Sequence, residues 1–443
     1  MPEGNPFVSG ISKCIGGPVD SNTNISETYW EKLDQAIEGG QEDLITLIRE
    51  LVRRPSDKSE KESQIFLRDW FSGFGIDCDM WDIEPAKLSE HRAWVDTGLD
   101  YHDRPNLVAI HKGSGSGKSI SLLGHMDVVP FEEPEKWVGG DPWSGIIDDG
   151  KMYGRGSLDM KAGVAIGAFL VALIKKLGIS LRGDIVFQSI IDEESGGNGT
   201  LAAIKKGYRA DASIFIEPSG EDYMAISGRG AQFFRITIPG QAGGIEYQYD
   251  LANAITKAAV LYNAVERYAD VLNSHADHDY YAHEKTKVPC AICKIQSGNW
   301  PSTLPAVCEM EGSIECLPGE DIEDRKKDFK QYILKVAEQD EWLRKNPPII
   351  EWFGLRYESA EIPLESPIVD CVRNASQTVL GKDVLPVGGG GSDLRLPVLY
   401  ADSPCILYGP KGGAIHSTNE YVLIDSVINV TRVIGRTILE WCA

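Results

Sequence analysis

The 443-residue sequence is short of basic residues, of long apolar runs and of paired cysteine motifs, and each shortage excludes a class of protein. Its 44 Lys and Arg residues are outnumbered by 66 Asp and Glu residues, which gives a formal net charge of −22. Nucleic acids and anionic membrane surfaces attract basic proteins, so neither is an expected partner. No apolar run approaches the length of a membrane span. The Gly/Ser/Asn-rich stretch 1–26 also lacks the basic-then-apolar layout of a secretory signal.

Cysteine gives no framework for disulfide pairing. The nine cysteines are an odd number and are widely scattered, a pattern typical of reduced thiols in a large cytoplasmic protein. Cys290 and Cys293 have CxxC spacing, but there is no second CxxC pair, and the segment alternates like a strand. A zinc knuckle is therefore not expected there, and we expect the protein in the cytoplasm.

The stretch 121–130 is where the sequence is most informative. The apolar run 120–123 predicts a buried strand, which ends at Gly124 and is followed by His125 and Asp127. Ligands of open α/β sheets gather at the carboxyl ends of the strands. Imidazole is a common zinc ligand and usually needs a carboxylate behind it to fix its tautomer. A structural histidine beside a loop aspartate would give the same short motif, so the rest of the chain must decide.

Strands alternate with helices in the first half of the chain and again near its end. Apolar strands are predicted at 120–123, 183–191, 212–216 and 405–408, and helices at 42–52, 62–74, 164–174, 366–380 and 426–441. This alternation predicts an α/β fold whose large domain is a mixed sheet flanked by helices.

The pattern changes near residue 227. From there the predicted order is strand 233–238, a helix covering 251–272, strands around Ile292 and Ile314, a charged helix 321–342 and a strand 349–355. The order βαββαβ predicts a smaller α+β domain with a one-sided sheet. We therefore expect residues 1–227 and 359–443 to form one discontinuous domain, with 228–358 inserted into it.

Several polar residues of the larger domain share one property, because each follows a predicted strand or lies in a glycine-rich turn. They are His125, Asp159, Glu193, Glu194, Glu217 and His416. Imidazoles combined with carboxylates suit zinc, and also manganese or cobalt, and a bridging carboxylate can hold two such ions about 3.5–4 Å apart. Each residue alone could be a solvated loop residue, but this explanation is poor for all of them together. The sequence therefore predicts a divalent metal site, which could hold two ions.

The two adjacent glutamates suggest two different roles, one as a metal ligand and the other as a proton acceptor. Unpaired carboxylates resist burial, so Glu193 and Glu194 are costly after a buried strand unless they have partners. If one of them binds metal, the other can accept a proton from a water molecule whose pKa the metal lowers to around 7.

The sequence resembles the M20 family of metallopeptidases and amidohydrolases, which includes acetylornithine deacetylase and succinyl-diaminopimelate desuccinylase. The motifs that match are Gly-His-Met-Asp-Val-Val-Pro at 124–130, Gly-Arg-Gly-Ser-Leu-Asp-Met-Lys at 154–161, Asp-Glu-Glu-Ser-Gly at 192–196, Ile-Glu-Pro at 216–218 and Ile-His-Ser-Thr-Asn-Glu at 415–420. The resemblance covers roughly residues 40–443. It implies a hydrolase with a pair of metal ions and a homodimer formed through the inserted lid or dimerisation domain.

The resemblance also implies how the metal ligands are shared. One ion would be held by His125 and Glu217 and the other by Glu194 and His416, with Asp159 bridging the two. The peptide bond that follows Asp159 would be cis.

The remaining roles implied by the resemblance are catalytic. Asp127 would orient His125, and Glu193 would be the general base that later returns its proton to the leaving amine. Glutamate at position 217 is more similar to the deacetylase and desuccinylase branch than to the dipeptidase branch.

Two further stretches resemble substrate-binding elements of the family. The loop 298–308 carries Asn299, which would approach the substrate, and the segment 391–395 carries Ser392 and Arg395 near the scissile group. Arg395 could anchor a substrate carboxylate with its bidentate fork, or it could simply pair with Asp393. The preceding run of four glycines could be only a flexible turn.

One departure from the family pattern concerns the inserted domain. In members of the family, this domain carries a Gly-x-x-x-His block before a helix that starts with Asn-Ala. In this sequence, residues 240–254 contain no histidine. The family's histidine reaches across the dimer and helps to hold the oxyanion. Either another donor replaces it, with Asn299 the first candidate, or the chain is slow on simple acyl amino acids. We expect His275, His278 and His283 to be solvated rather than to substitute for it.

These features together predict a two-metal amidohydrolase that cleaves a small N-acyl amino acid or related amide, with Glu193 as the base. Three alternatives stay open: a dipeptidase or carboxypeptidase, a hydrolytic deaminase of a small planar amine, and a weakly catalytic relative that binds a ligand through its metal site. Retention of Glu193 argues against the last, because a binding protein needs no base.

Overall fold

The computed structural model describes residues 25–443, so the Gly/Ser/Asn-rich start of the chain, and the expectation placed on it, lie outside the described residues. The largest element is a nine-stranded mixed sheet. Eight strands follow one path, in the order Cys78–Asp82, Pro105–His111, Ile185–Ile190, Ile120–His125, Ala212–Phe215, Cys405–Leu407, Tyr223–Gly228 and Ala360–Glu361. The ninth, Leu385–Gly389, pairs in parallel with Tyr223–Gly228.

The centre of this sheet is buried on both faces. Strand Ile120–His125 pairs in parallel with Ile185–Ile190 on one side and with Ala212–Phe215 on the other, and every residue of the three strands is buried. Their continuous apolar runs, rather than alternating ones, reflect this double coverage. Helices pack around the sheet: Ile25–Gly39, Gln41–Val52, Lys61–Ser72, Pro85–Leu88, Ala162–Lys176, Asn198–Lys206, Pro367–Leu380, Arg395–Tyr400 and Ile424–Trp441. The predicted α/β fold is confirmed.

One helical segment is long and apolar enough to cross a membrane by length and composition. It spans Ser157–Lys176, 20 residues with a mean hydropathy of 1.8, within which the uninterrupted apolar run is 162–174. However, 94% of it is buried inside the protein. Helix Ala162–Lys176 packs against the sheet and against the first, second and last helices, and a helix that is apolar all round is typical of such a position.

A second sheet has four antiparallel strands. Their order is Cys290–Ser297, Val307–Cys316, Gly230–Pro239 and Ile349–Tyr357. Helices Ala254–His275 and Ile322–Ala337 cover one face and share an apolar cluster with it that includes Phe234, Met310 and Phe329. The chain therefore has the predicted βαββαβ order. It passes between the two sheets at 228–230 and again at 357–360, which supports 228–358 as the proposed inserted domain.

Two helices of this second unit begin differently from the prediction, because side-chain caps define their starts. The first begins at Ala254 rather than near Leu251, since the Asn253 side chain accepts from the Ile255 N–H at 2.9 Å. The predicted helix 321–342 is two helices, Ile322–Ala337 and Glu341–Lys345. The Asp340 carboxylate starts the second by accepting from the N–H groups of Trp342 and Leu343 at 2.9 and 3.0 Å.

Two small sheets complete the fold. One contains Ile146–Asp148, Lys151–Tyr153, Tyr421–Leu423 and Gly412–Gly413 and joins the segments that carry two of the sequence motifs. The other pairs Gly243–Gly244 with Thr303–Leu304. The latter ribbon brings the segment without the family histidine next to the loop that carries Asn299.

Candidate metal centre

The carboxyl ends of three neighbouring strands bring the first group of polar side chains together. His125 is the last residue of its strand, and Glu217 follows the parallel neighbour Ala212–Phe215. The His125 Nε2 and Glu217 Oε1 atoms lie 3.3 Å apart. Glu193 and Glu194 follow Ile185–Ile190, on the other side of the His125 strand. These side chains meet because parallel strands end at the same edge of the sheet.

Two loops supply the remaining candidate ligands. Asp159 lies in the turn before helix Ala162–Lys176, and its two carboxylate oxygens face different imidazoles. Oδ1 is 3.0 Å from Nε2 of His125, and Oδ2 is 3.1 Å from Nε2 of His416. The latter nitrogen is also 3.2 Å from Oε2 of Glu194. The Asp159–Met160 peptide bond is cis, as the resemblance implied.

The donor set and its spacing fit divalent metal ions. Ligand arms of about 2.0–2.2 Å at tetrahedral angles put neighbouring donor atoms roughly 3.3–3.6 Å apart, close to the 3.0–3.3 Å separations observed here. Two groups of donor atoms lie within 4.8 Å of one another: His125 with Asp159 and Glu194, and His125 with Glu193 and Glu217. In addition, Oε1 of Glu194 is buried without a hydrogen-bond partner among the described residues. Cations at this position would supply the missing partner.

The electrostatics point the same way. Burial, reinforced by the charge of Asp159, raises the pKa of Glu217 to about 7. Burial also raises the pKa of Glu194, although His416 donates a hydrogen bond to it. In return, the hydrogen bonds from His416 to the carboxylates of Asp159 and Glu194 raise the pKa of His416 to about 10. The buried carboxylates therefore give the centre an excess of negative charge, which bound cations would offset.

His125 is held in the tautomer that a metal ligand needs. Its Nδ1 lies 2.9 Å from the backbone carbonyl of Asp127 and donates to it, which leaves the Nε2 lone pair free to face the candidate centre. The Asp127 carboxylate lies further away, 3.6 Å from Nδ1. It accepts instead from the backbone N–H groups of Glu193 and Glu194, at 3.3 and 3.0 Å. Asp127 thus fixes both the imidazole and the glutamate pair.

Glu193 differs from its neighbour in position. Its Oε2 is 4.0 Å from Nε2 of His125, and its Oε1 accepts from the backbone N–H of Asp393 at 3.2 Å. The hydroxyl of the buried Tyr357 donates to its backbone carbonyl. Burial raises the pKa of Glu193 well above its ordinary value, and the lowering effect of His125 does not offset this. A carboxylate with a raised pKa is suited to accept and return a proton near neutral pH.

A cavity of about 630 Å³ opens on these side chains. Its polar lining includes Asp159, Glu193, Glu194, Glu217, Ser219, Ser392 and His416. Its apolar lining includes Val129, Pro218, Ala225, Phe233, Leu355, Tyr357, Val387, Leu407 and Ile415, together with the backbone of glycines 388–391. No lysine or arginine is among the lining residues, all of which belong to the described part of the chain.

The three residues proposed to bind substrate lie in different surroundings. Ser392 lines the cavity. Arg395 does not, because its side chain is buried beneath the wall: it donates to the Gly196 carbonyl at 2.9 Å and lies 3.6 Å from Asp393. The structure thus favours the alternative in which Arg395 pairs within the protein. Asn299 is exposed on the loop of the second unit and is not among the lining residues.

Two histidines of the second unit have partners outside the cavity. His278 pairs with Glu361 at 3.2 Å, and exposed His275 donates to a carbonyl of its own helix. Among residues 25–443, His416 is the only histidine that lines the cavity.

Sequence reasoning missed three residues that build the site. Tyr357 and Asp393 each form a hydrogen bond with Glu193, and no sequence signal pointed to this contact. Glu420 belongs to the last matching motif, yet no role was assigned to it. Its carboxylate accepts from the backbone N–H of Asp159 at 3.0 Å.

Comparison with known proteins agrees with this geometry. Residues 121–440 match the sequence model of a protein family that is described as "Peptidase family M20/M25/M40". The chain is 28% identical to N-formyl-4-amino-5-aminomethyl-2-methylpyrimidine deformylase of Bacillus subtilis (strain 168), across 93% of this chain and 97% of that protein. It is 27% identical to succinyl-diaminopimelate desuccinylase of Methylorubrum extorquens, across 89% and 97%.

Among solved structures, the fold is similar to that of YXEP from Bacillus subtilis, described as a dinuclear metal binding peptidase from the M20 family. The TM-score is 0.58 at 16% identity, across 91% of this chain and 99% of that chain. The matched motifs, the paired ligand clusters and the family match over most of the chain lead to one conclusion. The chain belongs to peptidase family M20/M25/M40 and is a metal-dependent hydrolase of amide bonds.

Proposed function

We propose that the chain hydrolyses an uncharged N-acylated amine, and specifically the formamide of an aminomethyl group on a flat heteroaromatic ring. The observation that carries this proposal is the cavity lining, which has no lysine or arginine. A substrate carboxylate placed in such a cavity would be desolvated without a lysine or arginine to pair with it. A neutral formamide has no such cost. The similarity to the pyrimidine deformylase of Bacillus subtilis supports the same substrate class.

The shape of the cavity also suits a flat ring. Its volume of about 630 Å³ is ordinary for a small-molecule site. Phe233 and Tyr357 contribute aromatic surface, and the glycine segment contributes bare backbone. The N–H and C=O groups of Gly390 and Gly391 form no hydrogen bonds within residues 25–443. They are therefore available to the ring nitrogens and amino group of a pyrimidine.

We propose the following roles for the polar residues. His125 and Glu217 would hold one divalent ion and Glu194 and His416 the other, with Asp159 shared between them, as their separations of 3.0–3.3 Å allow. When bound, such ions supply Lewis-acid polarisation of the carbonyl and acidify the attacking water. Zinc is the first candidate, with manganese and cobalt as alternatives.

Glu193 performs the proton transfers. Its carboxylate lies on the cavity wall, outside the closest ligand contacts, and its raised pKa allows it to take a proton from the attacking water. It then returns that proton to the nitrogen of the leaving amine. Asp127 and Tyr357 hold the backbone of Glu193 in place while this happens.

We also propose that the chain acts as a homodimer in the cytoplasm. Large apolar side chains are exposed on the second unit, among them Ile245, Tyr247, Tyr249, Ile255, Tyr262, Ile295, Trp300, Val307 and Ile349. A contiguous patch of exposed apolar side chains is typical of a surface that a partner covers, and most soluble oligomers are symmetric pairs. The cysteines of the described chain are all free thiols, as expected in a reducing compartment. Sedimentation of the purified protein tests the dimer.

A substrate comparison tests the proposed function. Metal-loaded protein is assayed with N-formyl-4-amino-5-aminomethyl-2-methylpyrimidine, N-succinyl-diaminopimelate, an N-acetyl amino acid and a dipeptide, with Glu193→Gln as the background control. We expect kcat/KM for the formamide to exceed that for each carboxylated substrate by at least about 100-fold. A higher kcat/KM for any carboxylated substrate would overturn the proposal. Release of ammonia rather than formate would instead identify a deaminase.

A further inference from the structure

We propose that Glu420 is a positioning residue that holds the Asp159 and His416 loops together and thereby fixes the second metal position. The Glu420 side chain is fully buried, and it lies four residues after His416. Nothing in the proposed chemistry uses it directly. This inference rests on the proposed two-metal site, but not on the identity of the substrate.

The contacts of the Glu420 carboxylate are directed almost entirely at the Asp159 loop. Oε1 accepts from the backbone N–H groups of Leu158 and Asp159, both at 3.0 Å. Oε2 accepts from the backbone N–H of Gly156 at 3.1 Å and from the Arg155 guanidinium at 2.6 Å. One side chain from the His416 loop thus satisfies three backbone donors of the loop that carries the bridging carboxylate.

The strands beside these loops explain how Glu420 comes to this position. Tyr421 pairs with Tyr153 in the small antiparallel sheet, so the two loops leave from directly opposed residues. The backbone carbonyl of Glu420 accepts from the N–H of Gly154 at 3.0 Å, which continues that ladder by one step. Beyond this point no backbone ladder joins the loops. The Glu420 side chain therefore provides the connection up to Asp159 itself.

Arg155 extends the connection to the third motif. Besides its ion pair with Glu420, its guanidinium lies 3.4 Å from the carbonyl of Pro130, at the end of the motif that contains His125. Both members of the pair are buried, and the desolvation of such a pair commonly costs as much as its attraction gains. A buried pair of this kind is weak evidence for a stabilising role. The contribution of the pair is instead geometric, because it links three segments that carry candidate ligands.

The two proposed metal positions should depend on Glu420 unequally. His125 and Glu217 are fixed by the central strands of the sheet, whose backbone ladders do not involve Glu420. In contrast, the His416 side chain is 51% exposed. Its loop has positive φ at three residues other than glycine, namely Ala414, His416 and Asn419. The metal position that uses His416 should therefore lose affinity first when the Glu420 carboxylate is removed.

Metal titration of the whole chain tests this inference without measuring turnover. Metal-free wild type and Glu420→Gln are titrated with Zn²⁺ against a chromophoric chelator. We expect wild type to bind two ions. In the variant, one site should keep its affinity within about threefold, while the other should weaken 10–100-fold, the range typical of residues that orient metal ligands. Glu60→Gln is the matched control, because Glu60 is also buried and paired with an arginine, Arg104, without touching a ligand loop. It should leave both affinities unchanged.

A second variant covers the case in which Glu420→Gln does not fold. Arg155→Lys keeps the positive charge and the Glu420 carboxylate but loses the planar fork, and it should weaken the same site to a smaller extent. Unchanged affinities in both folded variants, or equal weakening of the two sites, would overturn the role of Glu420. Wild type that binds only one ion would instead overturn the two-metal proposal, so the two failures are distinguishable.

Discussion

Glu193 and Glu194 are neighbours in sequence, but their carboxylates have different partners. Glu194 faces the imidazole of His416 at 3.2 Å, and its second oxygen has no partner among the described residues. Glu193 accepts a hydrogen bond from the Asp393 backbone and lies 4.0 Å from His125. At the scale of residues, this difference in surroundings supports the proposed roles of Glu194 as a ligand and Glu193 as the base.

The pair gives a direct test by matched substitutions. Glu193→Gln keeps size and hydrogen bonding but cannot take a proton, so turnover should fall by about 10²–10⁴-fold with metal content unchanged. Glu194→Gln should instead lower the affinity for one metal ion. Steady-state kinetics and elemental analysis of both proteins measure the two effects. If the two substitutions exchanged these phenotypes, the assignment would be wrong.

Individual residues were predictable from sequence where a strand end presents them. The proximity of His125, Glu193 and Glu217 follows from parallel strands ending at one edge. Arg395 and Glu420 were not predictable in this way. Arg395 bonds to Gly196, about 200 residues away in the chain, and Glu420 bonds to a loop more than 260 residues away. Contacts of this range depend on how loops return to the sheet, which no local pattern specifies.

The strand Leu385–Gly389 and the glycines after it form one wall of the cavity, so these glycines matter at the scale of the element. They are not equivalent. A side chain at Gly388 would meet the ring of Tyr281, and one at Gly391 would lie 2.7 Å from the ring of Tyr357. At Gly390 a Cβ atom would meet nothing within 4 Å, and the backbone there is not left-handed. Gly390 is therefore the position at which the cavity can be narrowed without disturbing the fold.

Gly390→Val tests whether this wall contacts the substrate. We expect kcat/KM for the formamide to fall at least about 10-fold, since even small changes of pocket size are worth that much, with metal content and thermal stability unchanged. Gly39→Val is the control, because a side chain there also meets nothing within 4 Å and the position is remote from the cavity. Equal activity of the two variants would show that the substrate does not reach the glycine wall.

Most elements followed from periodicity. The strands at the centre of the large sheet lie where continuous apolar runs predicted them, and the closing helix and the βαββαβ order of the second unit lie where the patterns of 2.0 and 3.6 residues predicted them. The strand Leu385–Gly389 was not predicted, because its glycines have no side chains to contribute to a hydrophobic pattern. It is a strand because Tyr223–Gly228 offers a partner. The split of the helix 321–342 depended on the cap at Asp340, which periodicity does not reveal.

The whole molecule joins two sheets around one cavity. The candidate metal ligands come from the ends of the large sheet and from two loops, and the glycine wall also belongs to the large sheet, while Phe233, Leu355 and Tyr357 come from strands of the second. The chain crosses between the sheets at 228–230 and 357–360, next to these residues. The sequence predicted two units and placed Asn299 of the second near the substrate, but it did not predict that Phe233, Leu355 and Tyr357 would supply part of the wall. That contribution depends on the relative placement of the sheets.

The central claim concerns the molecule as a whole: a cluster of buried carboxylates and two histidines holds two metal ions that hydrolysis requires. The most direct measurement is the rate of formamide hydrolysis by chelator-treated protein as Zn²⁺, Mn²⁺ or Co²⁺ is added back in known equivalents. We expect no turnover without metal, a rise as metal is added, and a plateau at two ions per chain. Full turnover by rigorously metal-free protein would contradict the account.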